Sequence, residues 1–280
     1  MNFRRFSFWV LSCVFSISMA GCKSGKSNSQ NETITDSVWT KSKVIETIKK
    51  VNDYWQGAEN PEPAFAFWHP AAYHTGNIAA YEVTGNETYK KYSEAWAEKN
   101  QWKGATSDDK SKWKYNYGET MEHVLFGDWQ ICFQTYIDLY NMDREPAEYK
   151  IARAKEVMEY EMSTPNNDYW WWADGLYMVM PVMTKLYKVT GNQQYLDKLY
   201  EYFTYAKNLM YDEESALFYR DGKYIYPKHK TNQGLKDFWS RGNGWVFAGL
   251  AKVLQDLPEN DAHRAEYITI YQAMAKSLDT

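Results

Sequence analysis

Val83-Thr84-Gly85-Asn86, followed by Tyr89, returns in the same chain as Val189-Thr190-Gly191-Asn192, followed by Tyr195. Glycine often ends a helix because it enters the left-handed region without a side-chain clash, and asparagine caps the helix that follows. Each copy therefore reads as a tight turn between two antiparallel helices. Leu139-Tyr140-Asn141 with Tyr149, and Leu257-Pro258-Glu259-Asn260 with Tyr267, read as a third and a fourth, degenerate copy. Such a repeat predicts a series of helical hairpins, and because none can bury both its faces alone, closure into a ring is the natural solution.

The periodicity around these turns is helical throughout. Apolar residues recur at three-to-four spacing in Val44-Ile45-Ile48-Val51-Trp55 and in Leu176-Val179-Met180-Met183-Leu186-Tyr187. Helices are predicted near 41–56, 72–84, 87–100, 128–141, 146–161, 174–190, 193–210, 243–257 and 261–279, with no series of strand hairpins. Two long connections, near 101–126 and 211–241, lie opposite the tight turns and beside the helix starts, where loops build cleft walls. Nine helices do not close a ring of pairs, and the last runs into Thr280 without a stop signal. The expected fold is thus an all-α barrel of hairpins, truncated at its C-terminal end by about 80 to 100 residues at its own repeat spacing.

Counting back from the tyrosines gives one recurring position. Trp68, Asp128 and Asp174 each lie 21 residues before Tyr89, Tyr149 and Tyr195 respectively. Each is where the first helix of a hairpin begins, and in a ring all such starts face one end. Aromatic residues make up 18% of the chain, with 13 Trp and 24 Tyr. Their flat apolar faces and single polar groups suit sugar rings, although a ring-rich core accounts for most of them. The net charge of −4 leaves no basic field for nucleic acid, so an anionic ligand has to be held by a few local cations.

The N-terminus reads as processing. Arg4 and Arg5 precede an apolar run, 6–19, and then Ala20, Gly21 and Cys22. This is a signal peptide over 1–21, too short to span a membrane stably. Met19-Ala20-Gly21-Cys22 resembles a bacterial lipoprotein cleavage box, which implies that Cys22 is acylated and tethers an exported protein to the cell envelope. Residues 22–38 are Ser-, Asn- and Lys-rich and read as a flexible tether, leaving 39–280 as the folded domain. Loss of Cys13 with the signal and acylation of Cys22 leave Cys132 with no partner for a disulfide.

Common catalytic signatures, HExxH, CxxC, GxSxG and phosphate-binding glycine loops, are absent, and the five histidines lack zinc-ligand spacing. Neither metal nor cofactor is expected. What remains is a carboxylate pair among aromatics. Asp174, in Tyr169-Trp170-Trp171-Trp172-Ala173-Asp174-Gly175, reads either as a helix cap or as a general acid raised by apolar burial. Asp128, in Phe126-Gly127-Asp128-Trp129-Gln130, occupies the equivalent position and has the same two readings. In Arg241-Gly242-Asn243-Gly244-Trp245, the glycines would permit close backbone approach to a ligand, and the arginine is the best side chain for a carboxylate.

These segments resemble the unsaturated uronyl hydrolases of glycoside hydrolase families 88 and 105, over about residues 40–280. The resemblance rests on Trp172-Ala173-Asp174-Gly175-Leu176-Tyr177-Met178, on the stretch from Asp128 to Tyr140, and most specifically on Phe238-Trp239-Ser240-Arg241-Gly242-Asn243-Gly244-Trp245. It implies an (α/α)6 six-hairpin barrel whose substrate is an oligosaccharide ending in a 4,5-unsaturated uronic acid. An acid protonates C4 of that enol ether, water adds at C5, and the hemiketal opens to release the remaining sugar. By this resemblance Asp174 is the acid and the water-activating base. Asp128 holds ring hydroxyls and raises the pKa of Asp174, while Arg241 and Trp245 bind the uronate. Trp68, His69 and Trp172 are further candidates for the cleft wall. One departure stands out: after Leu217-Phe218-Tyr219, where many relatives carry a histidine, this chain has Arg220, a cation suited to a different or sulfated product. His229, further along the loop, is the weaker stand-in. Two other readings stay open, an α/α-barrel hydrolase or lyase on intact polysaccharide, and a non-catalytic glycan-binding lipoprotein.

Overall fold

The computed structural model of the chain describes residues 40–58 and 65–279. The two Val-Thr-Gly-Asn turns are atom-for-atom copies of each other. Gly85 and Gly191 sit at φ 66° and 69°, and each N–H reaches back 2.7 Å to a carbonyl four residues earlier, of Tyr81 and Tyr187. The Thr84 and Thr190 hydroxyls donate to Ala80 and Leu186 and accept from the amides of Asn86 and Asn192. The two Asn side chains then accept from the amides of Thr88 and Gln194. Every polar letter of the motif is accounted for by helix ends that would otherwise leave donors and acceptors unpaired.

These turns join α2 (Trp68–Thr84) to α3 (Glu87–Lys99) and α7 (Ala173–Thr190) to α8 (Gln194–Met210). Between them run α4 (Gly127–Gln130), α5 (Cys132–Met142) and α6 (Tyr149–Ser163). The chain also has α1 (Lys41–Ala58) before α2, and α9 (Ser240–Asp256) and α10 (Arg264–Leu278) at the end. The helix expected over 128–141 is broken at Ile131, giving α4 and α5. Helix α2 begins at Trp68, four residues before its expected start, because Pro70 is tolerated in a first turn where no N–H partner is lost. A two-residue antiparallel ladder, β1 (Tyr211–Asp212) and β2 (Leu217–Phe218), lies inside the second long connection, where no strand was expected.

The inner layer is α2, α5, α7 and α9, and α3, α6, α8 and α10 pack outside it. Helix α7 is buried along most of its length, which matches its nearly continuous apolar sequence. It meets α9 at Gly249, where an added Cβ would come within 3.0 Å of the Tyr177 backbone. The architecture is the all-α hairpin arrangement of an α/α barrel. The repeat tyrosines differ in burial. Tyr89, Tyr195 and Tyr267 are buried, but Tyr149 is 56% exposed, because α6 starts at that residue and turns the next two, Lys150 and Ile151, inward. The signal peptide, the tether and Cys22 lie outside the described residues. No helix among the described residues is long and apolar enough to cross a membrane.

Candidate functional site

Asp128 and Asp174 are each the second residue of their helices, α4 and α7. Neither is a cap: the caps are Phe126 and Trp172, with no side-chain capping bond at either. The aromatic residue before each helix start instead builds a wall. The Trp172 ring stacks on Phe126 at 4.8 Å, and the absent side chains of Gly127 and Gly175 leave its slot. A Cβ on either glycine would come within 3.0 to 3.2 Å of the indole. Trp172, buried at 7% exposure, is thus a wedge between the two carboxylate-bearing turns.

Both carboxyls are buried, and among the described residues the Oδ1 of Asp174 has no hydrogen-bond partner. Burial penalises the ionised form more than the helix N-termini favour it. The Asp174 carboxyl is pushed up to about 6 by burial, tempered by Arg241 and Arg220. Asp128 is pushed up to about 7, again by burial first, then by the Asp174 charge and by Glu119. The two carboxyls oppose each other's ionisation, while Arg241 favours the ionised form of both and Arg220 that of Asp174. Both therefore keep a proton to higher pH than a free aspartate does.

Asp128 is also anchored from below in sequence. Gln130, two residues on, donates to the buried Glu161 of α6 at 2.5 Å and to the carbonyl of Val124. Burial pushes Glu161 up to about 8, which favours its neutral form. Glu119 comes from the 101–126 connection, where Tyr117 donates to it and rests edge-on against Phe126. That connection therefore reaches the carboxylates, as expected of a cleft wall.

Arg241, half exposed, places Nη2 3.7 Å from Asp174 Oδ2. Its guanidinium lies 4.1 Å from the Trp239 ring centroid and 5.5 Å from that of Trp68. Trp68 meets Trp245 edge-on at 6.0 Å, and Trp245 meets Tyr177 at 4.6 Å, so the starts of α2, α7 and α9 converge here. His69 is exposed and edge-on to Trp68 and Phe65. The side chain of the glycine-flanked Asn243 is turned inward. It is 2% exposed, accepts from Phe218 N–H at 2.8 Å and donates to Phe218 O at 2.9 Å, pinning the second long connection. Gly242 makes room for Trp239, whose ring would stand 2.8 Å from an added Cβ.

That pinned connection carries Arg220. The carbonyl of Arg220 accepts from Ala173 N–H at 2.8 Å, next to Asp174, and Asp221 bridges to Trp172. Arg220, Tyr224, Trp239 and Arg241 help line one cavity of about 490 Å³. His229, the weaker stand-in for the relatives' histidine, is tied to Asp237 at 2.6 Å. Trp239, Tyr224 and Glu119 were not singled out from sequence. Trp239 lies two residues before Arg241, but one tryptophan among 13 gives no signal of its own. Among the described residues no three His, Cys, Asp or Glu side chains cluster as metal ligands.

Residues 39–280 match the model of Glycosyl Hydrolase Family 88. An unsaturated 3S-rhamnoglycuronyl hydrolase of Formosa agariphila is 28% identical over 80% of the chain and 60% of its own length. One of the same name from an Alteromonas species is 26% identical over 76% of the chain and 52% of its own. The chain thus spans little more than half the length of these curated relatives. A solved structure, a family 88 glycosyl hydrolase of Bacteroides vulgatus, is 56% identical with a TM-score of 0.83, over 85% of this chain and 68% of that one. A second, named as a polysaccharide lyase, is 63% identical with a TM-score of 0.82, over 85% and 66%.

Proposed function

Because the chain belongs to glycosyl hydrolase family 88, we propose that it removes a 4,5-unsaturated uronic acid from the nonreducing end of lyase-generated oligosaccharides. The observation that carries this reading is an arginine 3.7 Å from one of two buried carboxyls, Asp174, with Asp128 as the other. Arg241 binds the uronate carboxylate by a charge-assisted fork, with Trp68 and Trp245 alongside. Protonated Asp174 delivers its proton to C4, and positive charge develops at C5 next to the ring oxygen. Asp174, now ionised, takes a proton from the water that adds at C5. The hemiketal opens, and the remaining sugar leaves. Asp128 keeps a carboxyl at the ring hydroxyls.

The test is the ultraviolet absorbance of the conjugated uronate, which falls as the enzyme consumes unsaturated disaccharides. The rate should be high where Asp174 holds its proton and fall as pH rises above about 6. Once both carboxyls are ionised no acid is left to protonate C4. The name of the 63% identical structure favours a second reading, elimination on an intact polysaccharide. It predicts the opposite sign, absorbance that rises, so one assay separates the two.

The names of the Formosa and Alteromonas relatives support a rhamnoglycuronyl product as the substrate here. The cleavage box at Cys22 supports a lipid-anchored protein of the bacterial cell envelope. Full-length protein should partition into the detergent phase of a two-phase extraction, and Cys22→Ala should move it to the aqueous phase. Equal partitioning of the two would remove the anchor.

A further inference from the structure

Helix α7 carries Asp174 in its first turn and Pro181 in its interior. Proline has no N–H, so the carbonyl four residues earlier, that of Tyr177, receives no donor from its own helix, and the proline ring crowds it. A helix bends readily at such a break. Asp174 lies seven residues before Pro181. At 1.5 Å per residue that is about 10 Å along the axis, so a change of about 10° at the break moves the carboxyl by about 2 Å. Catalysis tolerates less, since a misplacement of about 1 Å costs on the order of a hundredfold.

The missing donor comes from another helix. Gln134, fully buried in the first turn of α5, donates from Nε2 to Tyr177 O at 2.8 Å and to Met178 O at 3.0 Å. Its Oε1 accepts from Lys252 Nζ of α9 at 3.1 Å. Carbonyls only accept and an ammonium only donates, so a single orientation of the amide suits all three partners. Among the described residues Lys252 makes no ion pair, because Lys185 takes the carboxylates of Asp138 and Asp256. On its other sides the same turn of α7 meets Thr75, whose hydroxyl bonds Tyr177 Oη at 3.0 Å, and Gly249 of α9. Gln134 also lies six residues after Asp128, just past the break at Ile131. One amide thus ties the segment that carries Asp128 to the turn below Asp174.

We propose that Gln134 is a positioning residue: it supplies the hydrogen bond that Pro181 denies to Tyr177, and so fixes the two turns of α7 that aim Asp174 at the sugar. It touches none of the reacting atoms. A buried glutamine that only fills the core acts on stability, whereas a positioning residue acts on kcat in protein that is still folded. The proposal deepens the uronyl reading and rests on it for its kinetic test.

The experiment is a double-mutant cycle of Gln134→Met and Pro181→Ala, with kcat and KM for an unsaturated disaccharide measured well below the thermal transition of each variant. Gln134→Met fills the space without a donor and should lower kcat about tenfold or more, with KM within about twofold. Pro181→Ala returns an N–H to α7, which then serves Tyr177 O itself. In that background Gln134→Met should lower kcat by less than about threefold. Gln134→Glu keeps the shape and the contact with Lys252 but sets an acceptor against the carbonyls, and its kcat should fall as far as that of Gln134→Met. An equal fall in both backgrounds overturns the proposal, and so does a kcat within about twofold of the original in folded Gln134→Met. If the unaltered protein leaves the disaccharide intact, the uronyl reading fails by itself. Crystal structures of the unaltered and Gln134→Met proteins then decide the positioning role. It stands if the Asp174 carboxyl shifts by about 1 Å or more relative to Arg241, and falls if the two structures superpose there.

Discussion

Asp174→Asn is expected to slow consumption of an unsaturated disaccharide by about a thousandfold, the range supplied by a positioned acid–base group, without unfolding the protein. The site explains both halves. Asn cannot deliver a proton to C4 or take one from water, and Asp128 remains as the nearest carboxyl but belongs to a different helix start. Stability moves the other way. The folded-state pKa of Asp174 lies above its ordinary value of 3.8, at about 6, so the folded protein holds this proton more tightly than the unfolded chain. Stability from this group is present below pH 4 and is lost as pH rises to 6, a difference of roughly 3 kcal/mol at 1.4 kcal/mol per unit. A side chain that cannot ionise escapes that loss. The Asp174→Asn protein should therefore melt no lower than the unaltered protein at pH 8. Activity near the original level in a folded variant would remove Asp174 from the mechanism.

Trp172→Ala should cost about 3–5 kcal/mol of stability, as for other buried aromatics cut to alanine, and should also lower kcat in protein that remains folded. The indole fills the space that Gly127 and Gly175 leave open, and it stacks on Phe126. Without it the starts of α4 and α7 lose the spacer that sets the distance between their carboxyls. Denaturant melts give the first quantity, and turnover well below the transition gives the second. A loss under about 1 kcal/mol would mean that the turns hold their spacing without the ring. Trp172→Phe should recover much of the stability, because a ring still occupies the slot, but less of the turnover.

The repeat was legible because each of its letters acts locally. Thr, Gly and Asn at positions 84–86 and 190–192 satisfy helix ends within a few residues of themselves. Local hydrogen bonding of this kind does not depend on what packs around it. The 21-residue spacing placed Asp128 and Asp174 at matching helix starts for the same reason. Tyr149 keeps the spacing but not the burial of its counterparts, since α6 starts at that residue. The role of the Asn243 side chain was not legible: its partner is Phe218, 25 residues away in the chain and brought close only by the second long connection.

Periodicity and turn chemistry thus determined, from sequence alone, an all-α series of hairpins with two acids at one end and an arginine nearby. Only the tertiary structure decided what those acids are. An aspartate near a helix start is a cap if its oxygen meets the amides of its own first turn and an acid if it is buried facing another carboxyl. At Asp174 that choice is made by Trp172, Arg241 and the Arg220 segment, which arrive from three separate parts of the chain. Burial and charge at a point are sums over everything that surrounds it, and no local pattern contains that sum.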